Sequence, residues 1–140
     1  MEKNGTSIID DGKGVYMVLY TGKERPEFLE VGTGGHFKER DPNVPIHALG
    51  STWVDGAMVV YIGKTGSSLK GRIRAYMRFG QGKRVSHWGG RYIWQMVGSR
   101  ELLVCWRPIP GSTDPRSVEA SLLKEFEKQY GKLPFANPVH

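Results

Sequence analysis

The chain has no apolar run near the roughly 20 residues that cross a bilayer, and its opening Met1-Glu2-Lys3-Asn4-Gly5 lacks the apolar core of a secretory signal. Both absences point to a soluble, intracellular (cytoplasmic) protein with no membrane partner. A single cysteine, Cys105, excludes an internal disulfide and a zinc-thiolate cluster. Within Leu102-Leu103-Val104-Cys105-Trp106 it reads as a small buried core residue. His36, His47 and His140 show no metal-ligand spacing, and Gly32-Thr33-Gly34-Gly35 is not followed by the Gly-Lys-Ser/Thr of a nucleotide-binding phosphate loop. The most informative absence is negative charge. From Gly56 to Arg100 there is no Asp or Glu, while Lys64, Lys70, Arg72, Arg74, Arg78, Lys83, Arg84, Arg91 and Arg100 all fall there. A solvated face normally mixes signs. A block of one sign that also carries aromatic residues suggests a surface for phosphates.

What is present fits one folded unit. The 140 residues suit one ordinary domain, and 39% hydrophobic with 24% charged residues describes a globule rather than a disordered chain. Gly14 to Tyr20 is β-branched and aromatic, which predicts a strand. Residues 21–56 are rich in Gly, Pro and turn formers and read as an elaborated loop segment. Ala57 to Ile62 predicts a second strand closed by Gly63. Ser67 or Ser68 can cap a helix from Leu69 to Phe79, where Leu69, Ile73 and Met77 recur at helical spacing. Tyr92 to Val97 fits a strand or a short helix. Leu102 to Trp106 predicts a third strand, stopped by Pro108 and Pro110. The last helix has Asp114 as cap, Pro115 in its first turn and Gly131 past its end. Glu119 falls beside its apolar stripe of Val118, Leu122, Phe126 and Tyr130, and an inward carboxylate is costly unless a cation meets it.

In this order the features resemble the GIY-YIG nuclease family. Gly14-Val15-Tyr16 looks like its first motif and Tyr61-Ile62-Gly63 is identical to its second. Arg72 matches the arginine of the following helix. Tyr76 stands where the family carries histidine or tyrosine. Glu119 matches the metal-binding glutamate, and Asn137 the terminal asparagine. The family usually spaces its two tyrosines about ten residues apart, whereas residues 17 to 60 separate Tyr16 from Tyr61 here. An insert at about 21–56 accounts for this, because lengthening a surface loop costs little closure entropy. Tyr20 competes with Tyr16 as the first motif tyrosine.

The resemblance implies an α+β fold: a small three-stranded antiparallel β-sheet flanked by helices. It implies an endonuclease that hydrolyses DNA phosphodiester bonds by in-line attack of water, leaving 5′-phosphate and 3′-hydroxyl, with Mg²⁺ (or Mn²⁺) on Glu119. Arg72 would hold phosphate oxygens with its planar fork. Water must also lose a proton, and the family assigns that to tyrosine. An unperturbed phenol is ionised about one part in a thousand at neutral pH, a deficit of about 4 kcal/mol. Lys64 and Arg72 are expected to lower it, with Tyr16 as base and Tyr61 and Lys64 positioning it. Lys70, Arg74, Arg78, Lys83, Arg84, His87 and Arg91 are the expected nucleic-acid contacts, and Trp88, Tyr92 and Trp94 can stack on unpaired bases or pack in the core. DNA is preferred to RNA as substrate. With no second domain, target choice falls to the insert, the Gly80 to Arg91 loop, a homodimer or a partner protein. The alternative is a catalytically inactive basic nucleic-acid-binding module.

Overall fold

The computed structural model describes residues 8–35, 41–83 and 88–137. The order of elements is β1 (Gly14–Leu19), α1 (Ile46–Thr52), β2 (Val59–Thr65), α2 (Leu69–Gly80), a 3-10 stretch (Trp88–Gln95), a 3-10 turn (Ser99–Glu101), β3 (Leu103–Pro108) and α3 (Pro115–Tyr130). The fold is α+β, with one three-stranded antiparallel sheet in the order β2-β1-β3. Among the described residues no helix is long and apolar enough to cross a membrane.

Register decides which side chains meet. Tyr16 lies opposite Gly63 on one side and Trp106 on the other, and Val18 lies opposite Tyr61 and Val104. Residues paired in this way share a face. That face buries Tyr16, Val18 and Tyr61 with Leu69, Ile73, Tyr76 and Phe79 of α2 in one cluster. On the opposite face α3 packs over β2 and β1, where Met17 and Ile62 meet Leu122 and Phe126.

α2 starts as the sequence predicts, with the Ser68 hydroxyl accepting from the Gly71 N–H at 2.9 Å. α3 does too: Asp114 accepts from the Arg116 N–H, Pro115 fills the first turn, and Gly131 ends the helix at φ 75°.

Three expectations are corrected and one open alternative is resolved. β2 does not close at Gly63 but continues to Thr65. Gly63 is needed there because the Tyr16 ring lies over it, and an added Cβ would stand 2.7 Å from the Tyr16 hydroxyl. Segment 21–56 is no mere loop. It holds α1, and Phe28, Leu49 and Trp53 join the same cluster as the sheet. The buried Gln95 side chain donates to the carbonyls of Leu29 and Val44 and accepts from the Val44 N–H, tying the segment to the 3-10 stretch. Its glycine run serves close packing, since a Cβ on Gly34 would strike the Phe79 ring. Of the two alternatives for the segment from Tyr92, the helical one holds through Gln95, within the 3-10 stretch. Cys105 is exposed rather than buried, because it lies with Leu103 and Arg107 on the open face of the outer strand β3, while Val104 and Trp106 between them are half-buried on the other.

Candidate active site

The two motif tyrosines come together through strand register alone. Gly63 faces Tyr16 directly, so Tyr61, two residues earlier, is its diagonal neighbour on the same face. Their ring centroids are 6.0 Å apart with planes at 58°. The Tyr16 hydroxyl is hydrogen-bonded to Tyr61 and to Arg72. Arg72 arrives from the first turn of α2, where its N–H donates to the Ser68 carbonyl at 2.9 Å. Tyr20 is elsewhere: its hydroxyl donates to the Glu24 carbonyl at 2.6 Å and its ring meets Trp53 edge-on. Of the two candidates for first tyrosine, Tyr16 is the one that meets Tyr61 and Arg72.

Tyr76 follows Arg72 by one helical turn. It is buried, its ring centroid 4.8 Å from that of Trp94, and Tyr61 acts electrostatically on its hydroxyl. Trp94 is itself a core residue, its indole packed against Gly80.

Glu119 is half-buried on α3 and acts electrostatically on Tyr61. It therefore lies near the tyrosine cluster although α3 covers the other face. Among the described residues no ion pair engages Glu119. Lys64 and Arg116 act on it through space, and Arg116 is a residue the sequence reading missed. The available signal was its position three residues before Glu119 on one helix.

Asn137 grips the outer edge of β2. Its side chain accepts from the Ile62 N–H at 2.9 Å and donates to the Ile62 carbonyl at 3.0 Å, while the Ala136 N–H donates to the Val60 carbonyl. The amide imitates a neighbouring strand and fixes the residues on both sides of Ile62, which are Tyr61 and Gly63. Phe135, just before it, stacks on Phe28 at 5.4 Å and meets Trp53 at 5.2 Å. The insert thus buttresses the same edge.

The electrostatics reverse one expectation. Tyr16 is 1% exposed and Tyr61 7%, and burial pushes the Tyr16 hydroxyl well above the ordinary tyrosine range, with Tyr61 adding to the rise and Arg72 opposing it. Tyr61 is also raised by burial, and there Arg72 and the hydrogen bond from Tyr16 pull downward while Glu119 pushes upward. Cationic neighbours do not lower these phenols overall, because desolvation outweighs Arg72. Lys64, exposed on β2, acts instead on Glu119. Tyr76 is driven far upward, chiefly by burial. Burial likewise raises Glu119, with Lys64 and Arg116 opposing.

Of the expected nucleic-acid contacts, Lys70 is half-buried, and Arg74, Arg78 and Lys83 are exposed on or just beyond α2. Arg91 lies 5.3 Å from the Tyr92 ring centroid. Arg84 and His87 lie outside the described residues, as does the side chain of Trp88.

The donor set bears on a metal. Among the described residues no three His, Cys, Asp or Glu side chains gather in a metal-binding group, so a bound ion would rest on Glu119 alone. That suits Mg²⁺, which keeps several waters and takes substrate oxygens as further ligands. No family model matches the chain, and neither a curated protein nor a solved structure is significantly similar to it.

Proposed function

We propose that the protein is a GIY-YIG-type, metal-dependent endonuclease that hydrolyses DNA phosphodiester bonds. One observation carries the reading: Tyr61 on β2 is hydrogen-bonded to Tyr16 of β1 and feels the charges of both Arg72 of α2 and Glu119 of α3, so groups from four separate elements converge on it. The acidic-free stretch that holds Tyr61 and Arg72 supports a polyanionic substrate.

Arg72 is held by Tyr16 and has several N–H donors, so it can grip a phosphate as well and meet charge that grows on its oxygens during displacement. Tyr61, less buried than Tyr16 and acted on by Glu119, is the tyrosine placed to take the proton of the attacking water. Tyr16 donates to the Tyr61 oxygen and stabilises its phenolate. The roles first assigned to the two tyrosines are thereby exchanged. Glu119 would hold Mg²⁺ or Mn²⁺, which supplies positive charge for the leaving 3′ oxygen and offsets the carboxylate's unfavourable influence on Tyr61. Lys64 and Arg116 favour the ionised carboxylate. Asn137 positions Tyr61 through the backbone of Ile62, and Tyr76 backs the cluster from the core.

The test is incubation of supercoiled plasmid with the purified chain in Mg²⁺ or Mn²⁺ against chelator. Nicked or linear product only with metal is expected. A second reading, an inactive nucleic-acid-binding module, draws on the near-complete burial of Tyr16. Salt-sensitive binding without any product in either metal would replace the nuclease reading with that one.

A further inference from the structure

Arg72 and the exposed cations of α2 occupy different flanks of the helix. Successive helical residues are about 100° apart, so Lys70, Arg74 and Arg78 form one stripe while Arg72 stands about 160° around from Arg74. The Arg72 flank is turned to Tyr16. Towards its end the helix is covered by the insert, where the Gly35 N–H donates to the Phe79 carbonyl at 2.9 Å. Arg74 and Arg78 face solvent, and α2 contains no Asp or Glu. Among the described residues the side chains of Lys70, Arg74, Arg78 and Lys83 have no ion pair or hydrogen bond. Lys83 prolongs the stripe, its N–H donating to the Arg78 carbonyl at 3.1 Å after the left-handed turn at Gly82. Unneutralised charge gathered along one line is poorly explained as fold stabilisation, because like charges four apart on a helix repel.

We propose that this stripe binds the second phosphate rail of duplex DNA while Arg72 addresses the rail being cut. The inference rests on the reading of Arg72 as the ligand of the scissile phosphate. Two rails are needed because the cationic flanks are separated by the body of the helix, about 10–12 Å across with side chains. That matches the major groove, about 12 Å wide. Lys70 to Arg78 spans about 12 Å along the axis, room for roughly three phosphates of one strand at about 3.4 Å of rise each. A single strand offers one rail and cannot satisfy both flanks without wrapping the helix. Charge complementarity selects the occupant: Asp10 and Asp11 stand only at the N-terminal end of α2, beside Lys70 and Ser68, and from Arg74 onward the stripe has no acidic residue on its own helix and no apolar ridge for a protein partner.

The experiment measures binding of a short mixed-sequence DNA duplex, one of its strands alone, and the RNA duplex of the same sequence, across a salt series in chelator. The parent chain is compared with a Lys70→Gln/Arg74→Gln/Arg78→Gln variant. A Lys124→Gln/Lys128→Gln variant on the exposed side of α3 controls for net charge. The stripe variant should lower the duplex salt slope by about three units, at about 0.9 per lost phosphate contact. It should leave single-strand binding within about twofold, and the α3 variant should retain the parent slope. An equal loss for duplex and single strand, an unchanged duplex slope, an equal loss in the α3 variant, or RNA duplex bound as well as DNA would each overturn the inference. Chelator removes cleavage from the measurement, so plasmid nicking in metal judges the nuclease reading separately.

Discussion

Gly63 and Tyr16 are direct cross-strand partners, and the absence of a side chain at Gly63 is what lets the Tyr16 ring lie over it and bond to Arg72. Gly63→Ala forces the ring away. We expect a stability loss of about 1–3 kcal/mol, the usual cost of overpacking, read as a lower urea midpoint, together with loss of plasmid nicking. Gly66→Ala, with open space around its Cβ, should leave both near the parent values.

The exchanged tyrosine roles can be separated by single-atom deletions. Tyr61→Phe should slow cleavage by about 10²–10⁴, the range for loss of a general base. Tyr16→Phe should be milder and should move the rising limb of the pH–rate profile to higher pH, because Tyr61 loses the hydrogen bond that favours its phenolate. Tyr20→Phe should keep the parent rate. A mild Tyr61→Phe beside a severe Tyr16→Phe would return the base to Tyr16.

On the nuclease reading proposed above, Glu119 joins activity to a stability cost. Its folded pKa is raised, so the folded state holds the proton more tightly than the unfolded chain does, and the ionised carboxylate is unfavourable to folding at neutral pH. That penalty is relieved as pH falls through the raised pKa. Glu119→Gln should therefore leave the melting temperature at neutral pH unchanged or higher, while cleavage is abolished and DNA binding persists. Cleavage by the parent should fall as acid protonates this carboxylate. A drop in melting temperature at neutral pH would argue that Glu119 is a structural partner instead.

Asn137→Ala removes both side-chain hydrogen bonds to Ile62. Leaving the edge groups of β2 without partners should cost about 1–3 kcal/mol and cut the rate with it. Asn137→Asp keeps an acceptor for the Ile62 N–H and loses the donor to its carbonyl. It should fall between the two in urea midpoint, and its rate should follow its stability if Asn137 acts only by positioning.

Helix ends and the sheet were legible in the sequence because they depend on local chemistry. Ser68 and Asp114 cap as their side chains dictate, and Gly131 takes the left-handed conformation that ends α3. The extent of β2 was not legible, since Gly63 looks like a turn until Tyr16 is known to lie over it. The role of segment 21–56 was hidden for the same reason. Its Gly and Pro content marks turns, but Phe28, Trp53 and Gln95 show their value only when Phe135 and Val44 arrive from distant parts of the chain. The tyrosine ionisation was misjudged because sequence displays neighbouring cations and conceals depth. Cys105 was misplaced because an apolar run does not reveal which face of an outer strand is left open.

The strap that completes β2 comes late. Asn137 follows Ile62 by 75 residues, and Glu119 also lies downstream of all the tyrosine and arginine groups. While the polypeptide leaves the ribosome, β1, β2 and α2 can find one another long before the asparagine that steadies their margin has emerged. The nascent chain is thus without its carboxylate until residue 119 is made and without its clasp until residue 137 follows, so the half-made molecule lacks the complete cluster.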